Sequence, residues 1–128
     1  LLTILNNDGI ETSIQNEQDY LFSSSLYIDY FKENKAPRIC LIPDHVYGGS
    51  YSFMGSKSMG TDLVIGWENA QIGILSKQIV SKLTRQTNTV DTTILNATQK
   101  GIVDCVITPE QTRKYLISLF DMLATKTI

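Results

Sequence analysis

The sequence is poor in the residues that most often carry reactivity. It has two cysteines and one histidine in 128 residues. Cys40 and Cys105 each sit inside an apolar, strand-like run, which reads as two buried, reduced thiols in a cytoplasmic protein. Neither has the His or Cys spacing that a zinc site needs, so no metal site is expected. Basic clusters are missing as well. Lys and Arg number 11 against 13 Asp and Glu, for a net charge of -2. Phosphate neutralisation needs clustered cations, so nucleic acid is excluded as the main partner. No apolar run approaches the ~20 residues that span a bilayer. Leu1 to Leu5 is short and unflanked by positive charge, unlike a signal peptide. Internal repeats and low-complexity tracts are absent. So are the Gly-Lys-Ser/Thr ending of a P-loop and the Gly-x-Gly-x-x-Gly of a dinucleotide turn. The first residue is not methionine, and the chain opens directly in a strand-like run. It therefore reads as a piece of something longer, with 1–128 forming one domain and enough length for one core.

What is present centres on His45-Val46-Tyr47-Gly48-Gly49-Ser50-Tyr51-Ser52-Phe53-Met54-Gly55-Ser56-Lys57. An apolar strand, Arg38 to Ile42, precedes it. Its unbroken apolar run suits a parallel strand covered on both faces. The paired glycines follow, and then residues small enough to open a helix over 50–59. A glycine turn that opens a helix leaves backbone N–H groups unpaired and pointing one way. With the helix dipole they favour negative charge. If that charge arises only during a reaction, the same geometry is an oxyanion hole.

Around this centre strands and helices alternate. Leu1 to Leu5 reads as a strand, with Asn6-Asn7-Asp8-Gly9 as turn chemistry and a surface loop over 10–15. Asn16 to Asn34 reads as a helix capped by Asn16, with Leu21, Ser24, Ile28 and Phe31 on one face. Its Ser23-Ser24-Ser25 run suits close packing on a sheet or, alternatively, a hydroxyl-lined pocket. Further strands are expected at Leu63–Trp67, Gln71–Leu75 and Ile102–Ile107. Helices are expected at Ser76–Leu83 and Asp91–Lys100, with a polar loop over 84–90. Thr108-Pro109-Glu110-Gln111 is a capping-box helix start, and Leu116, Leu119, Phe120 and Leu123 give an amphipathic stripe. The pattern predicts an α/β architecture with right-handed crossovers.

Other reactive candidates are weaker. His45 lies beside the glycines, where a general base is useful, but a lone histidine in a polar loop is commonly incidental. Ser50 follows two glycines, yet a nucleophile elbow needs glycine where Ser52 stands. No His–Asp partners can be assigned to it, and nothing places Lys57 as its base. Asp62, Glu68 and Asp104 read as caps and surface charges.

Several runs together resemble the C-terminal carboxyltransferase domain of biotin-dependent acyl-CoA carboxylases and related decarboxylases. Val46-Tyr47-Gly48-Gly49-Ser50-Tyr51, Met54-Gly55-Ser56-Lys57, Gly60-Thr61-Asp62 and Gly66-Trp67-Glu68-Asn69-Ala70-Gln71-Ile72 follow that family's Tyr-Gly-Gly-Ala-Tyr, Met-Gly-Ser-Lys, Gly-Ala-Asp and Ala-Trp-Pro-x-Ala-x-Ile at the same spacing. Ala36-Pro37-Arg38-Ile39 is similar to its Val-Pro-Lys-Ile. Gly101-Ile102-Val103-Asp104-Cys105-Val106-Ile107-Thr108-Pro109 is similar to its Gly-Tyr-Ile-Asp-Asp-Val-Ile-x-Pro. The resemblance implies a crotonase-like fold of ββα units, with a mostly parallel sheet and flanking helices. It implies an activity that moves a carboxyl group between carboxybiotin and a small acyl-CoA, without a metal. Gly49 and Ser50 then fall on the family's backbone donor pair, with Tyr47, Gly48 and Tyr51 at the substrate or biotin side.

The implied partners are an N-terminal carboxyltransferase domain, a biotin carboxyl carrier protein and a biotin carboxylase, in a homo-oligomer. There are departures. The family's Val-Met-Gly-x-x-Gly-Ala is replaced by Ile74-Leu75-Ser76-Lys77-Gln78-Ile79-Val80, and the long helical insertion before Gly101 is cut short. A degenerate assembly module that keeps the fold and has lost the reaction is the alternative.

Overall fold

In a computed structural model, residues 1–11, 13–84 and 91–126 are described. The expected loop over 84–90 therefore lies mostly outside them. The order is β1 (Leu2–Ile4), α1 (Glu17–Glu33), β2 (Ile39–Ile42), β3 (His45–Tyr47), α2 (Gly49–Met54), β4 (Leu63–Trp67), β5 (Gln71–Gly73), α3 (Lys77–Thr84), α4 (Ile94–Gln99), β6 (Cys105–Ile107) and α5 (Thr112–Leu123). A four-stranded sheet runs β1-β2-β4-β6, parallel throughout, and a second parallel pair joins β3 to β5. This is the mostly parallel α/β arrangement that the resemblance implies.

The central strands explain themselves. All four residues of β2 are buried, because the sheet is covered on both faces. On one face Cys40, Ile42 and Val64 pack with Val46, Ile72, Ile94 and Ala97. On the other, Ile39, Leu41 and Ile65 meet Leu116, Leu119, Phe120 and Leu123 of α5. The amphipathic stripe read in α5 is thus its core-facing side. Gln111 Oε1 accepts the Thr108 N–H at 3.4 Å, the reciprocal arm of the expected capping box. Thr93 caps α4 by accepting the Asn96 N–H, also at 3.4 Å. Cys40 and Cys105 lie on opposite faces of the sheet, so no disulfide can join them. Burial pushes the Cys40 thiol up to about 12, so it is protonated and inert. Cys105 is half-buried rather than fully buried.

Three expectations change. His45 lies in β3, paired beside Gln71, and not in a polar loop. A three-residue strand whose partner is 26 positions away leaves no local periodicity to read. The helix expected over 50–59 is split: Gly55 ends α2, and Lys57–Met59 form a separate 3-10 turn closed by Gly60 in the left-handed region. Finally, Leu21 on α1 is 60% exposed, so the proposed packing face narrows to Ser24, Tyr27, Ile28 and Phe31.

Two carboxylates read as surface charges are instead latches. Asp104 accepts the Val64 N–H at 2.8 Å and the Lys57 ammonium at 2.5 Å, tying β4 to the turn after α2. Asp62 accepts the Arg38 N–H at 2.8 Å and the Lys126 ammonium at 2.6 Å. Partial burial works against the Asp62 charge. The Lys126 hydrogen bond, the Arg38 N–H and the two positive charges outweigh it and hold the carboxyl below the usual carboxylate range. A carboxyl depressed in the folded state stabilises fully above its unfolded value near ~3.9, and that stability is lost as pH falls through the lower folded value. Lys126→Met should therefore lower the urea midpoint at neutral pH, and the gap to the unmutated chain should narrow as pH falls below the ordinary carboxylate range and Asp62 takes up its proton. A gap that persists unchanged to pH 2 would show that Lys126 acts through packing and not through Asp62.

Candidate functional site

The glycine turn is built by β3 and β5. Gly48 donates its N–H to the Gly73 carbonyl at 2.9 Å and turns the chain with φ 61°. A side chain is strained at that φ, and a Cβ there would also come within 3.3 Å of the Ile74 carbonyl. The reversal starts α2 at Gly49. Bonds to the Gly48 carbonyl begin with the Ser52 N–H, so the N–H groups of Gly49 and Ser50 meet no acceptor among the described residues. They are the unspent donors that the sequence anticipates. The Gly48 N–H is committed to the sheet and does not join them.

What faces Gly49 is one phenol oxygen and two apolar side chains. A Cβ added there would meet Tyr20 Oη at 3.5 Å, Ile10 Cδ1 at 3.6 Å and Phe53 Cδ2 at 3.8 Å. The same three residues line a cavity of about 290 Å³ between α1 and α2, with Ser23, Ser24, Tyr27 and Met54. Tyr20 stands edge-on to Phe53 at 6.2 Å between ring centroids. Of the serine run, Ser23 and Ser24 border this cavity, whereas Ser25 turns back to the Phe22 carbonyl at 2.9 Å. The run thus borders a cavity, but one walled by carbon and not by hydroxyls, so the hydroxyl-lined pocket is not what forms. Tyr20, Phe53 and Met54 had no individual sequence signal beyond it.

The remaining candidates are placed as follows. The Tyr47 hydroxyl donates to Gln71 Oε1 at 2.9 Å, and the Tyr51 hydroxyl to the Ile102 carbonyl at 3.4 Å. Burial, with Cys40 and Asp104 nearby, pushes the Tyr51 phenol up to about 12. Both tyrosines thus brace the turn from within the chain. The Ser50 side chain is almost wholly enclosed, at 1% exposure. His45 has both ring nitrogens beside carboxylates, Asp44 at 2.8 Å and Asp8 at 3.2 Å. Lys57 is held by Asp104 and, at 3.2 Å, by the Gly101 carbonyl. Neither base is therefore free to activate Ser50. Among the described residues no group of three His, Cys, Asp or Glu side chains is placed to hold a metal ion, and no helix is long and apolar enough to cross a membrane.

Residues 1–93 match the model of the carboxyl transferase domain family. The chain is 30% identical to a putative propionyl-CoA carboxylase beta chain of Bacillus subtilis, over 99% of this chain and 29% of that protein. It is 28% identical to the methylmalonyl-CoA decarboxylase subunit alpha of Propionigenium modestum, over 98% of this chain and 28% of that one. The crystal structure of transcarboxylase 12S, a hexamer with hydrolysed methylmalonyl-CoA bound, superposes with a TM-score of 0.85 at 25% identity, covering 99% of this chain and 26% of that chain. The chain thus spans under a third of the length of the curated relatives it matches.

Proposed function

This chain belongs to the carboxyl transferase domain family, and from that membership we propose that it supplies the biotin-side half of a biotin-dependent carboxyl-transfer site. The supporting observation is the pair of N–H groups at Gly49 and Ser50 that meet no acceptor among the described residues. Carboxybiotin, when bound, supplies the carboxyl group and an oxygen that turns anionic as that group leaves. The Gly49 and Ser50 amides would donate to this oxygen. They are fixed before the reaction begins and need no reorganisation as charge develops. Ser50 is almost wholly enclosed, which keeps the local dielectric low and strengthens its donor. The backbone does this work, so the serine in place of the family's alanine is neutral. Residues 1–128 would then act as one domain, beside an N-terminal carboxyltransferase domain that binds the acyl-CoA. A carrier protein would bring biotin from a biotin carboxylase, and the subunits would assemble as a homo-oligomer.

One observation favours a second reading, in which the chain is a non-catalytic assembly module. Where the family has a glycine turn, Ile74 stands 84% exposed and Leu75 is partly so, and α3 follows. Carboxyl transfer to free biotin, assayed in the intact native complex, separates the two. No exchange above background from a folded complex leaves the module. Under the catalytic reading, Ser50→Ala should keep kcat within about threefold of the unmutated protein, because both N–H groups remain. A loss above a hundredfold would bring back the serine nucleophile.

A further inference from the structure

His45 is the single histidine of the chain, and its ring lies between two carboxylates. Nδ1 stands 2.8 Å from Asp44, its neighbour in sequence, and Nε2 stands 3.2 Å from Asp8, on the turn after β1. An ionised carboxylate only accepts, and an imidazole donates at both nitrogens only when each carries a proton. The charged ring therefore satisfies both contacts. The neutral ring keeps one N–H, and its other nitrogen turns a lone pair toward a carboxylate. The shorter contact, to Asp44, keeps the proton, so the contact to Asp8 is the one lost.

What Asp8 anchors is the approach to the glycine turn. Asn7 is fixed to β3, since its N–H donates to the His45 carbonyl at 2.9 Å. Past Asp8, a Cβ on Gly9 would lie 3.4 Å from the Tyr47 carbonyl. Ile10 follows, and its Cδ1 is 3.6 Å from the place a Gly49 Cβ would take. The turn thus runs along β3 and reaches the first residue of α2. We propose that His45 is a positioning residue: protonated, it clamps Asp8 and holds Ile10 against Gly49, and neutral, it releases that turn. The proposal rests on the carboxyl-transfer reading above and adds a proton-dependent wall beside its donor pair.

The other groups facing the ring do not change charge with it. Tyr47 lies tilted beside it, at 5.7 Å between ring centroids. Burial, with the Asp8 and Asp44 charges, pushes the Tyr47 phenol up, so it stays protonated across the pH 5–8 range in which histidine changes charge. Carboxylates are ionised throughout that range. The rest of the polar cavity around the ring, about 370 Å³, is lined by Gln71, Ser76 and Gln78, which do not titrate. The Asp8 side chain is 89% exposed. Exposed ion pairs of this kind move an equilibrium by no more than about fivefold, which sets the size of every effect below.

Hydrogen exchange of residues 5–11 in the intact native complex, corrected for the intrinsic pH dependence of exchange, reads the clamp. Protection should fall by about two- to fivefold between pH 5.5 and pH 8.5. Asp8→Ala should show the lower value at both pH values. His45→Lys keeps its cation across the range and should show the higher value at both. Carboxyl transfer to free biotin gives a second readout, taken as the ratio of variant to unmutated complex so that the assay's own pH dependence cancels. Asp8→Ala should raise KM for free biotin by about two- to fivefold at pH 5.5 and leave it unchanged at pH 8.5. Its kcat should stay within about twofold at both, because the donor amides belong to α2 and not to the released turn. Protection that does not change with pH in the unmutated complex overturns the proposal. So does a His45→Lys profile that follows the unmutated one, or an Asp8→Ala effect on KM of equal size at both pH values. The expected protection pattern in a complex with no carboxyl transfer at any pH supports the clamp and rejects the catalytic reading.

Discussion

Gly49→Pro should lower kcat for carboxyl transfer by about 10²–10³, the loss that follows removal of one preorganised donor from an oxyanion site. The substitution is unusually clean here. Gly49 is the first residue of α2, the position where proline is best tolerated because the missing N–H has no helical partner. Gly48 before it is not helical, with ψ -134°, so the usual conflict between a proline and a helical predecessor does not arise. A Cβ at Gly49 finds its nearest neighbours at 3.5, 3.6 and 3.8 Å, which is ordinary contact. Gly49→Ala is the matched control. It adds the same Cβ and keeps the N–H, so its kcat should stay within about fivefold of the unmutated protein if the donor is what matters. Gly49→Val, whose branches press toward Tyr20 and Ile10, should abolish transfer. A folded Gly49→Pro protein that turns over at the original rate would show that this amide faces no reacting oxygen.

Arg38→Met should cost about 3–4 kcal/mol of stability, judged from the ~1–3 kcal/mol lost when a buried acceptor is left unpaired. The guanidinium is buried and donates to the Asn34 carbonyl at 2.9 Å, to the Met59 carbonyl at 3.1 Å and to the Phe31 carbonyl. It also lies over the Phe31 ring, 4.6 Å from its centroid. Two of those carbonyls belong to the end of α1, where a cation both caps and meets the negative end of the dipole. The third belongs to the turn after α2. A single side chain thus fixes α1 against the turn that follows α2, and the cavity lies between those two helices. Relief of the buried charge offsets part of the loss, which keeps the figure below a simple sum of three bonds. Urea denaturation reads the change directly. Arg38→Lys should recover no more than half, because a compact ammonium cannot reach three carbonyls as a planar fork does. An Arg38→Met protein as stable as the original would mean that α1 is anchored by other contacts.

Arg38 also illustrates where sequence reading ends. It is visible as one position in an Ala-Pro-Arg-Ile resemblance; Phe31 and Asn34 lie only seven and four positions back, but its third partner, Met59, lies 21 positions on, beyond the reach of local pattern. The same holds for Asp62 and Asp104, whose partners stand 24 to 64 positions away. What local pattern does carry was legible. The apolar runs of β2 and β4, the Thr108 helix start, the α5 stripe and the paired glycines each depend on neighbours within a turn or two. That is also the range over which backbone sterics, capping and side-chain periodicity act.

By itself, then, the sequence determined the family, the α/β succession of elements and the bend that leaves the Gly49 and Ser50 amides without partners. Tertiary structure alone decided that His45 lies in a strand between two carboxylates, that Ser23 and Ser24 border a cavity, and that Arg38 ties α1 to the turn after α2. The reason is physical. A bend or a cap is fixed by interactions along a few residues of chain, whereas a cavity is what remains after distant segments have packed, and its size and lining depend on all of them at once.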